Sequence, residues 1–347
     1  MANYSNLSSG VNNSDSIYDD DDVPISLTAH NIWVYCGISI IIAGTIGNIM
    51  ALLVMTRKNM RAKTTALYLM VLAVVDTAVL YTGLLRYWII EVSGVDVREL
   101  SVASCKIHIF LVYFLVHFEA WILVCVTVER LAAIFVPHRA REIFTKKFAS
   151  TQIALTGLVL MMLNLHFFWT HTMVDGICFT GNDGHEDFMN NVWTWIDLMV
   201  SSCVPFVLML SCNVGIITRL SYMQRKRRQS ISTNKRRTST MTGILITINF
   251  VFFLTTAPIA IYLSTEEHWI DAVEDEQRLN VVYACVNMVA YTNNAINFIL
   301  YCVSGPSFRK ELKTMLNIDR FFSRVDPTEE SNTGNLATTQ NSIPMHA

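Results

Sequence analysis

Residues 105–130 read CKIHIFLVYFLVHFEAWILVCVTVER. This stretch is apolar enough to cross a lipid bilayer, yet it begins with a cysteine, carries Glu119 within it and ends on Glu129-Arg130. Twenty-five residues separate Cys105 from Arg130, which at about 1.5 Å per residue is roughly 37 Å of helix. That length exceeds the ~30 Å hydrocarbon core of a bilayer. The cysteine is therefore predicted at one membrane surface and the arginine at the other.

The composition indicates a protein with several membrane spans. Of the 347 residues, 52% are hydrophobic and only 16% are charged, whereas a soluble globular protein carries about 25% charged residues. The eight cysteines are spread out, with no CxxC or Cys/His pairing at zinc spacing. The sequence contains no dinucleotide, phosphate-loop, serine-hydrolase or zinc-protease motif. We therefore expect no enzymatic activity, no cofactor chemistry and no nucleic-acid partner.

Seven apolar segments follow one another along the chain, and each is long enough to span a bilayer as a helix. The halves of the chain show no repeat of the kind found in many transporters. We therefore expect one all-α domain over residues 31–303. The segments cover residues 31–56, 65–90, 102–135, 149–171, 192–220, 239–264 and 279–303.

Loop charges predict the orientation of these spans. If the N-terminus lies outside, 21 of the 26 lysines and arginines fall on the inner side, and only Arg98 and Arg278 fall on the outer side. Because cytoplasmic loops carry the excess of Lys and Arg, this split places Cys105 outside and Arg130 at the cytoplasm. The inner cations lie within residues 57–63, 139–147, 219–237 and 309–324.

The outer loops are acidic by contrast. Charge of one sign around the mouth of a bundle concentrates and steers ions of the opposite sign. The loop charges therefore favour a basic or uncharged ligand over an anionic one. The acids lie within residues 15–22, 91–99, 175–187 and 266–276.

The two ends of the chain are polar. Residues 1–30 lack lysine, arginine and an apolar core, so they are predicted to be a disordered tail and not a signal peptide. The sequons at Asn3, Asn6 and Asn12 predict that this tail is glycosylated and extracellular. After the last span, the pattern predicts a short amphipathic helix on the membrane surface over residues 304–318. A disordered cytoplasmic tail is expected over residues 319–347.

A series of short motifs occurs along the chain, and each lies on the side of the membrane that the loop charges predict. They are Gly47-Asn48, Leu72 to Asp76, Cys105, Glu129-Arg130-Leu131, Cys178, Pro205, Pro258, Asn297 to Tyr301 and Phe308-Arg309. Together they make the chain resemble a rhodopsin-like (class A) G-protein-coupled receptor over residues 30–320. This resemblance implies a seven-helix membrane bundle with a short eighth helix. Residues 255–258 and 293–302 are similar to invertebrate neuropeptide receptors of the FMRFamide- or thyrotropin-releasing-hormone-like kind.

The resemblance implies a receptor in the plasma membrane that activates a heterotrimeric G protein and then meets receptor kinases and arrestin. It also implies a disulfide bond between Cys105 and Cys178, which would pin the second outer loop across the bundle. In the implied activation switch, Glu129 holds Arg130 in the resting state and releases it on activation. The other residues implied in this switch are Pro258, Asn297 and Tyr301.

Two positions narrow the ligand class. Amine receptors of the family carry an aspartate where this chain has Val112, and opsins carry the retinal-binding lysine where it has Tyr291. The similarity to neuropeptide receptors implies a neuropeptide ligand, basic or amidated. The alternatives are a lipid or another small molecule and, outside the receptor class, a seven-span channel or transporter. Candidate ligand-binding residues are Val112, Tyr113, Val116, His117, Ile259, Tyr262 and Tyr291.

Two acids lie inside apolar spans. Asp76 sits in the second span, at a position that binds a sodium ion in the family, and Glu119 replaces a common serine in the third. A carboxylate in this setting needs a cation, amide partners or its own proton. We hypothesise that Asp76 and Glu119 share either a sodium ion or a proton. Asn293 and Asn297, which share a face of the seventh span, are the further candidate ligands.

Overall fold

The computed structural model describes residues 23–228, 237–272 and 276–316. The predicted glycosylation sites Asn3, Asn6 and Asn12 and the predicted tail over residues 319–347 lie outside these residues. Long helices account for most of the described chain. They are α1 (residues 23–55), α2 (Thr64–Ser93), α3 (Val102–Phe135), α4 (Lys146–Thr170), α5 (residues 183–228), α6 (Arg237–Ala272) and α7 (Glu276–Ser304).

Six of these helices, α1 to α6, contain a stretch long and apolar enough to cross a bilayer. Helix α7 has the necessary length but is more polar because it carries five asparagines. The predicted fold class, an all-α bundle of seven helices, is confirmed. The asparagines of α7 are Asn280, Asn287, Asn293, Asn294 and Asn297.

Short elements connect the long helices. An eighth helix, α8 (Pro306–Met315), starts with a proline directly after Gly305 and lies within the predicted amphipathic segment 304–318. Several long helices contain a π-helical turn, a local widening that often occurs at functional sites. The π-helical turns are Ile32–Cys36, Leu80–Leu84, Met189–Trp193 and Met199–Cys203, and the other short helices are Lys58–Arg61, Val97–Leu100 and Pro137–Ile143.

A β-hairpin lies between α4 and α5 and contacts α3. Its strands, β1 (His171–Val174) and β2 (Ile177–Thr180), pair antiparallel with His171 opposite Thr180. The two-residue turn is Asp175-Gly176, and both residues have positive φ, 51° and 87°. This is the backbone that a tight hairpin turn requires, and Asp-Gly is one of the dipeptides that adopt it. The sequence analysis did not predict this hairpin.

The helices pack around α3 and α7. Helix α3 lies against α2, α4 and α5, and α7 lies against α1 and α6. We call the end of the bundle that holds Cys105 the Cys105 end, and the opposite end the Arg130 end. The largest apolar core lies toward the Arg130 end and includes Tyr301 and Phe308. Many large apolar side chains face outward instead, as is usual where lipid replaces water. Examples more than half exposed are Ile42, Leu155, Val207 and Phe250.

Candidate functional site

The predicted disulfide bond is present. It joins Cys105, at the start of α3, to Cys178 of β2, with the two Cα atoms 5.5 Å apart. Both cysteines are buried, in a cluster with Phe167 and Trp193. The bond therefore fixes the hairpin to the Cys105 end of α3.

A cavity of about 70 Å³ lies at the Cys105 end, between α2, α3, α6 and α7. Three of the predicted ligand residues, Val112, Ile259 and Tyr291, line it. A Cβ atom at Gly83 would lie 2.5 Å from the Tyr291 hydroxyl, so the glycine is what lets the tyrosine ring lie against α2. The other lining residues are Thr82, Gly83, Arg86, Tyr87, Arg98, His108, Ile109, Leu263, Tyr283 and Asn287.

The other four predicted ligand residues lie elsewhere. Tyr262 packs on the cavity residue Tyr283, with ring centroids 5.5 Å apart. Tyr113 stacks on Phe167 at 4.5 Å, in the aromatic cluster beside the disulfide. Val116 is 39% exposed, and His117 is buried next to that aromatic cluster. The structure thus divides the predicted set between the cavity and its surroundings.

His117 has a polar partner that the sequence analysis missed. Its Nε2 lies 2.8 Å from Oδ1 of Asp197 in α5, and its Nδ1 lies 3.1 Å from Nδ2 of Asn164 in α4. These contacts tie α3 to α4 and α5. An aspartate inside an apolar span was the available signal, because such a group requires a partner.

A second missed cluster joins α2 to the loop that follows it. The Asp96 carboxylate accepts hydrogen bonds from Nε and Nη2 of Arg86, at 2.8 and 2.6 Å. It also accepts bonds from the backbone N–H and the guanidinium of Arg98. Burial alone would raise the pKa of the Asp96 carboxyl, but the hydrogen bonds and charges of the two arginines outweigh it and hold that pKa well below its usual range.

The two buried acids of the spans lie together in the middle of the bundle. Asn297 donates to Asp76 at 2.7 Å, and Asn293 donates to Glu119 at 2.5 Å. Asn294, which the sequence analysis did not single out, donates to both carboxylates, at 3.3 Å to Asp76 and 2.7 Å to Glu119. One amide group therefore bridges the two acids.

At the Arg130 end, Nη2 of Arg130 lies 3.2 Å from Oε1 of Glu129. Pro258 lies inside α6. The hydroxyl of Tyr301 is buried and has no hydrogen-bond partner among the described residues. These switch candidates do not form one connected network in the described part of the chain. A separate bond links α3 to α6, from Asn249 to the Thr127 hydroxyl at 2.8 Å.

Seven long helices, six of them apolar enough to cross a bilayer, and a hairpin fixed to the bundle by a disulfide bond give this chain the fold of a seven-helix membrane protein. The profile of the "7 transmembrane receptor (rhodopsin family)" matches residues 47–301, and the chain belongs to this family. It is not an enzyme, because members of this family are receptors.

Curated relatives are distant but cover most of the chain. The C-C chemokine receptor type 1 of Homo sapiens is 24% identical, over 80% of this chain and 77% of its own length. The galanin receptor 2a of Danio rerio is 23% identical, over 86% and 82%. The FMRFamide receptor of Drosophila melanogaster is 23% identical, over 85% of this chain and 56% of its own length.

Proposed function

We propose that this chain is a plasma-membrane receptor for an extracellular peptide and that it activates a heterotrimeric G protein. The observation that carries the peptide ligand is the set of relatives, which are named as receptors for chemokines, galanin and FMRFamide. The similarity extends over most of the chain, so it concerns the whole bundle and not one segment.

The orientation follows from loop charge. With the N-terminus and the Cys105 end outside, the basic loops face the cytoplasm, and the disulfide lies on the oxidising side of the membrane. The cavity at the Cys105 end is then open to a peptide, and the Arg130 end faces the G protein. Sequons at Asn3, Asn6 and Asn12 would carry glycans on the outer tail, and the inner tail would be the substrate of receptor kinases and the binding site of arrestin.

The two buried acids suit a sodium ion or a shared proton. Asp76 and Glu119 offer carboxylate oxygens, and hard cations prefer oxygen ligands. The Oδ1 atoms of Asn48 and Asn297 are buried and have no hydrogen-bond partner in the described chain, so further oxygen donors exist. Two carboxylates bridged by one amide cannot both ionise cheaply without such a cation.

A peptide-library screen tests the proposed function. Cells that express the full chain are exposed to peptides with free-acid and amidated C-termini, and calcium and cyclic-nucleotide signals are recorded. We expect responses that disappear in cells lacking heterotrimeric G proteins. In the Arg130→Gln variant at equal surface expression, they should fall at least about tenfold. A ligand-gated current that persists without G proteins, or activation by lipids alone, would contradict the proposal.

A further inference from the structure

We propose that the cavity at the Cys105 end binds a carboxylate of the ligand through the guanidinium groups of Arg86 and Arg98. The inference rests on the proposed function in one respect, that this cavity is where the ligand sits. It specifies the ligand chemistry, because it requires an acid group beside an apolar one.

The charged side chains beside the cavity do not balance one another. Arg86 and Arg98 both line the cavity, and both are bound to a single carboxylate, Asp96. No aspartate or glutamate is among the described residues that line the cavity. The cluster of two guanidiniums and one carboxylate therefore carries one uncompensated positive charge.

The same three charged side chains are largely buried. The side chains of Arg86, Asp96 and Arg98 are only 6%, 10% and 18% exposed. A charge removed from water is costly unless it is paired and hydrogen-bonded. An anion that enters the cavity would neutralise the excess charge, whereas a cation would add to it.

Both arginines keep hydrogen-bond donors that Asp96 does not use. In both arginines the bonds to the Asp96 side chain come from Nε and Nη2. The Nη1 group of each has no hydrogen-bond partner among the described residues. The Asp96 carboxylate also accepts a hydrogen bond from the backbone N–H of Arg98 at 2.9 Å, so the Arg98 guanidinium is held in place before a ligand arrives. Guanidinium donors bind carboxylates with strong, directional bonds.

The rest of the lining indicates what accompanies the carboxylate. Ile109, Val112, Ile259 and Leu263 are apolar, and Tyr291 presents an aromatic ring. A cavity of about 70 Å³ is too small to enclose a whole apolar side chain or alkyl chain, so the carboxylate and the adjoining carbon atoms would enter it and the rest of the group would lie at its opening. Two sources share that chemistry, namely the C-terminal residue of an unamidated peptide and a fatty acid.

This inference changes the expectation drawn from loop charge. The acidic loops favour a basic ligand, but the described lining of the cavity carries cations. A peptide with a basic body and a free C-terminal carboxylate would match both, with its body at the loops and its terminus at Arg86 and Arg98. An amidated terminus would match only the loops.

The first test measures binding without requiring activation. The purified full chain is heated in detergent with N-acetyl-phenylalanine, with N-acetyl-phenylalaninamide, and with the pair decanoic acid and decanamide. We expect an acid to raise the melting temperature at concentrations at least tenfold lower than its amide. In Arg98→Gln, which leaves the neutral Arg86–Asp96 pair, this ratio should fall toward one. Arg98→Lys should retain part of it.

Lys106→Gln is the matched control, because it removes a cation near the start of α3 that does not line the cavity. It should keep the wild-type ratio. Equal effects of acid and amide on the wild-type protein would overturn the inference, and so would a preference that Arg98→Gln leaves unchanged. The wild-type comparison holds even if a variant fails to fold. Preference for the acetylated amino acid identifies a peptide source, and preference for decanoic acid alone identifies a fatty acid.

The second test separates this inference from the proposed function. The peptide library is applied to cells in matched free-acid and amide forms. Activation by free acids at tenfold or more lower concentration, lost in Arg98→Gln, supports both proposals. Acid-selective binding without activation by any peptide would overturn the peptide ligand and leave the carboxylate site standing. Activation by amides at equal potency would overturn the carboxylate site alone.

Discussion

The molecule contains two buried clusters with opposite charge imbalance. At the Cys105 end, Arg86 and Arg98 share one carboxylate, so the cluster has an excess of positive charge. In the middle of the bundle, the hydrogen-bond partners of Asp76 and Glu119 among the described residues are asparagine amides, so that cluster has an excess of negative charge if both acids ionise. Both lie among tightly packed helices.

The difference lies in how each imbalance can be relieved. The positive cluster borders a cavity, so a molecule from outside can supply the missing carboxylate. The negative cluster is closed in by neighbouring side chains, so only a small cation or a proton fits beside it. The first cluster is therefore suited to a ligand, and the second to an ion that responds to the state of the helices.

Removal of the only carboxylate in the positive cluster should have the largest effect. Asp96→Ala would leave the buried guanidiniums of Arg86 and Arg98 without the carboxylate that both bind, and we expect a loss of about 3–5 kcal/mol in stability. Thermal unfolding of the purified protein in detergent measures it. Glu99→Ala, an exposed acid in the same turn, is the control and should change stability by less than about 0.5 kcal/mol. Equal losses in the two variants would refute the pairing.

Removal of the bridging amide should have the next largest effect, on the negative cluster. Asn294→Ala deletes a donor to both Asp76 and Glu119, and we expect a loss of about 2–3 kcal/mol because two buried acceptors lose a bond. Asn287→Ala is the control on the same helix, since the acceptor of the Asn287 amide among the described residues is the Tyr283 carbonyl and not a carboxylate. If Asn287→Ala costs as much, the bridge has no special role.

Much of the fold could be predicted from sequence because each signal depends on composition along the chain. Apolar length gives the helices, and unpaired acids such as Asp76 and Glu119 stand out against it. Partner choice could not be predicted this way. The rotation of α7 places Asn294 between the two acids, whereas helical spacing had suggested only Asn293 and Asn297. The same limit applies to Arg86, whose partner Asp96 lies in the following loop.

The hairpin could have been predicted from one local signal. Asp175-Gly176 is a turn dipeptide between two short β-prone stretches, although the apolar spans on either side dominate the hydropathy of this region. The predicted ligand residues were also only partly right about the cavity. Val112, Ile259 and Tyr291 face it, but Tyr113 and His117 belong to the aromatic cluster, since sequence spacing alone does not fix how α3 is rotated.

Mildly acidic pH should lower the stability of the Cys105 end through His171 of the hairpin. Burial, with the positive charges of His166, Arg98 and His185, lowers the pKa of His171 from 6.5 to about 4. Below pH 6.5 the unfolded chain then binds more protons than the folded one, so stability falls as the pH drops toward 4. The loss from this residue between pH 7 and pH 5 should be about 2 kcal/mol.

His171→Gln removes this contribution. Unfolding measured between pH 7 and pH 5 should therefore show a smaller loss in His171→Gln than in the wild-type protein. The matched control is His138→Gln, an exposed histidine at the Arg130 end whose charge is not among those that act on His171; this variant should lose more stability between pH 7 and pH 5 than His171→Gln does. Identical pH profiles for His171→Gln and the wild type would place the acid response elsewhere in the bundle.

The smallest expected effect separates a sodium ion from a shared proton in the negative cluster. If sodium binds between Asp76 and Glu119, sodium chloride should stabilise the folded chain by about 1 kcal/mol relative to choline chloride at the same concentration. Glu119→Gln keeps the side-chain shape and removes one charge, so this sodium effect should shrink or vanish. Glu142→Gln, an exposed acid after α3, controls for general ionic effects. A shared proton predicts instead no sodium effect in the wild type and a pH dependence that Glu119→Gln removes. If the variant changes neither response, the two acids do not act as a pair, and the contrast with the arginine cluster holds only for the Cys105 end.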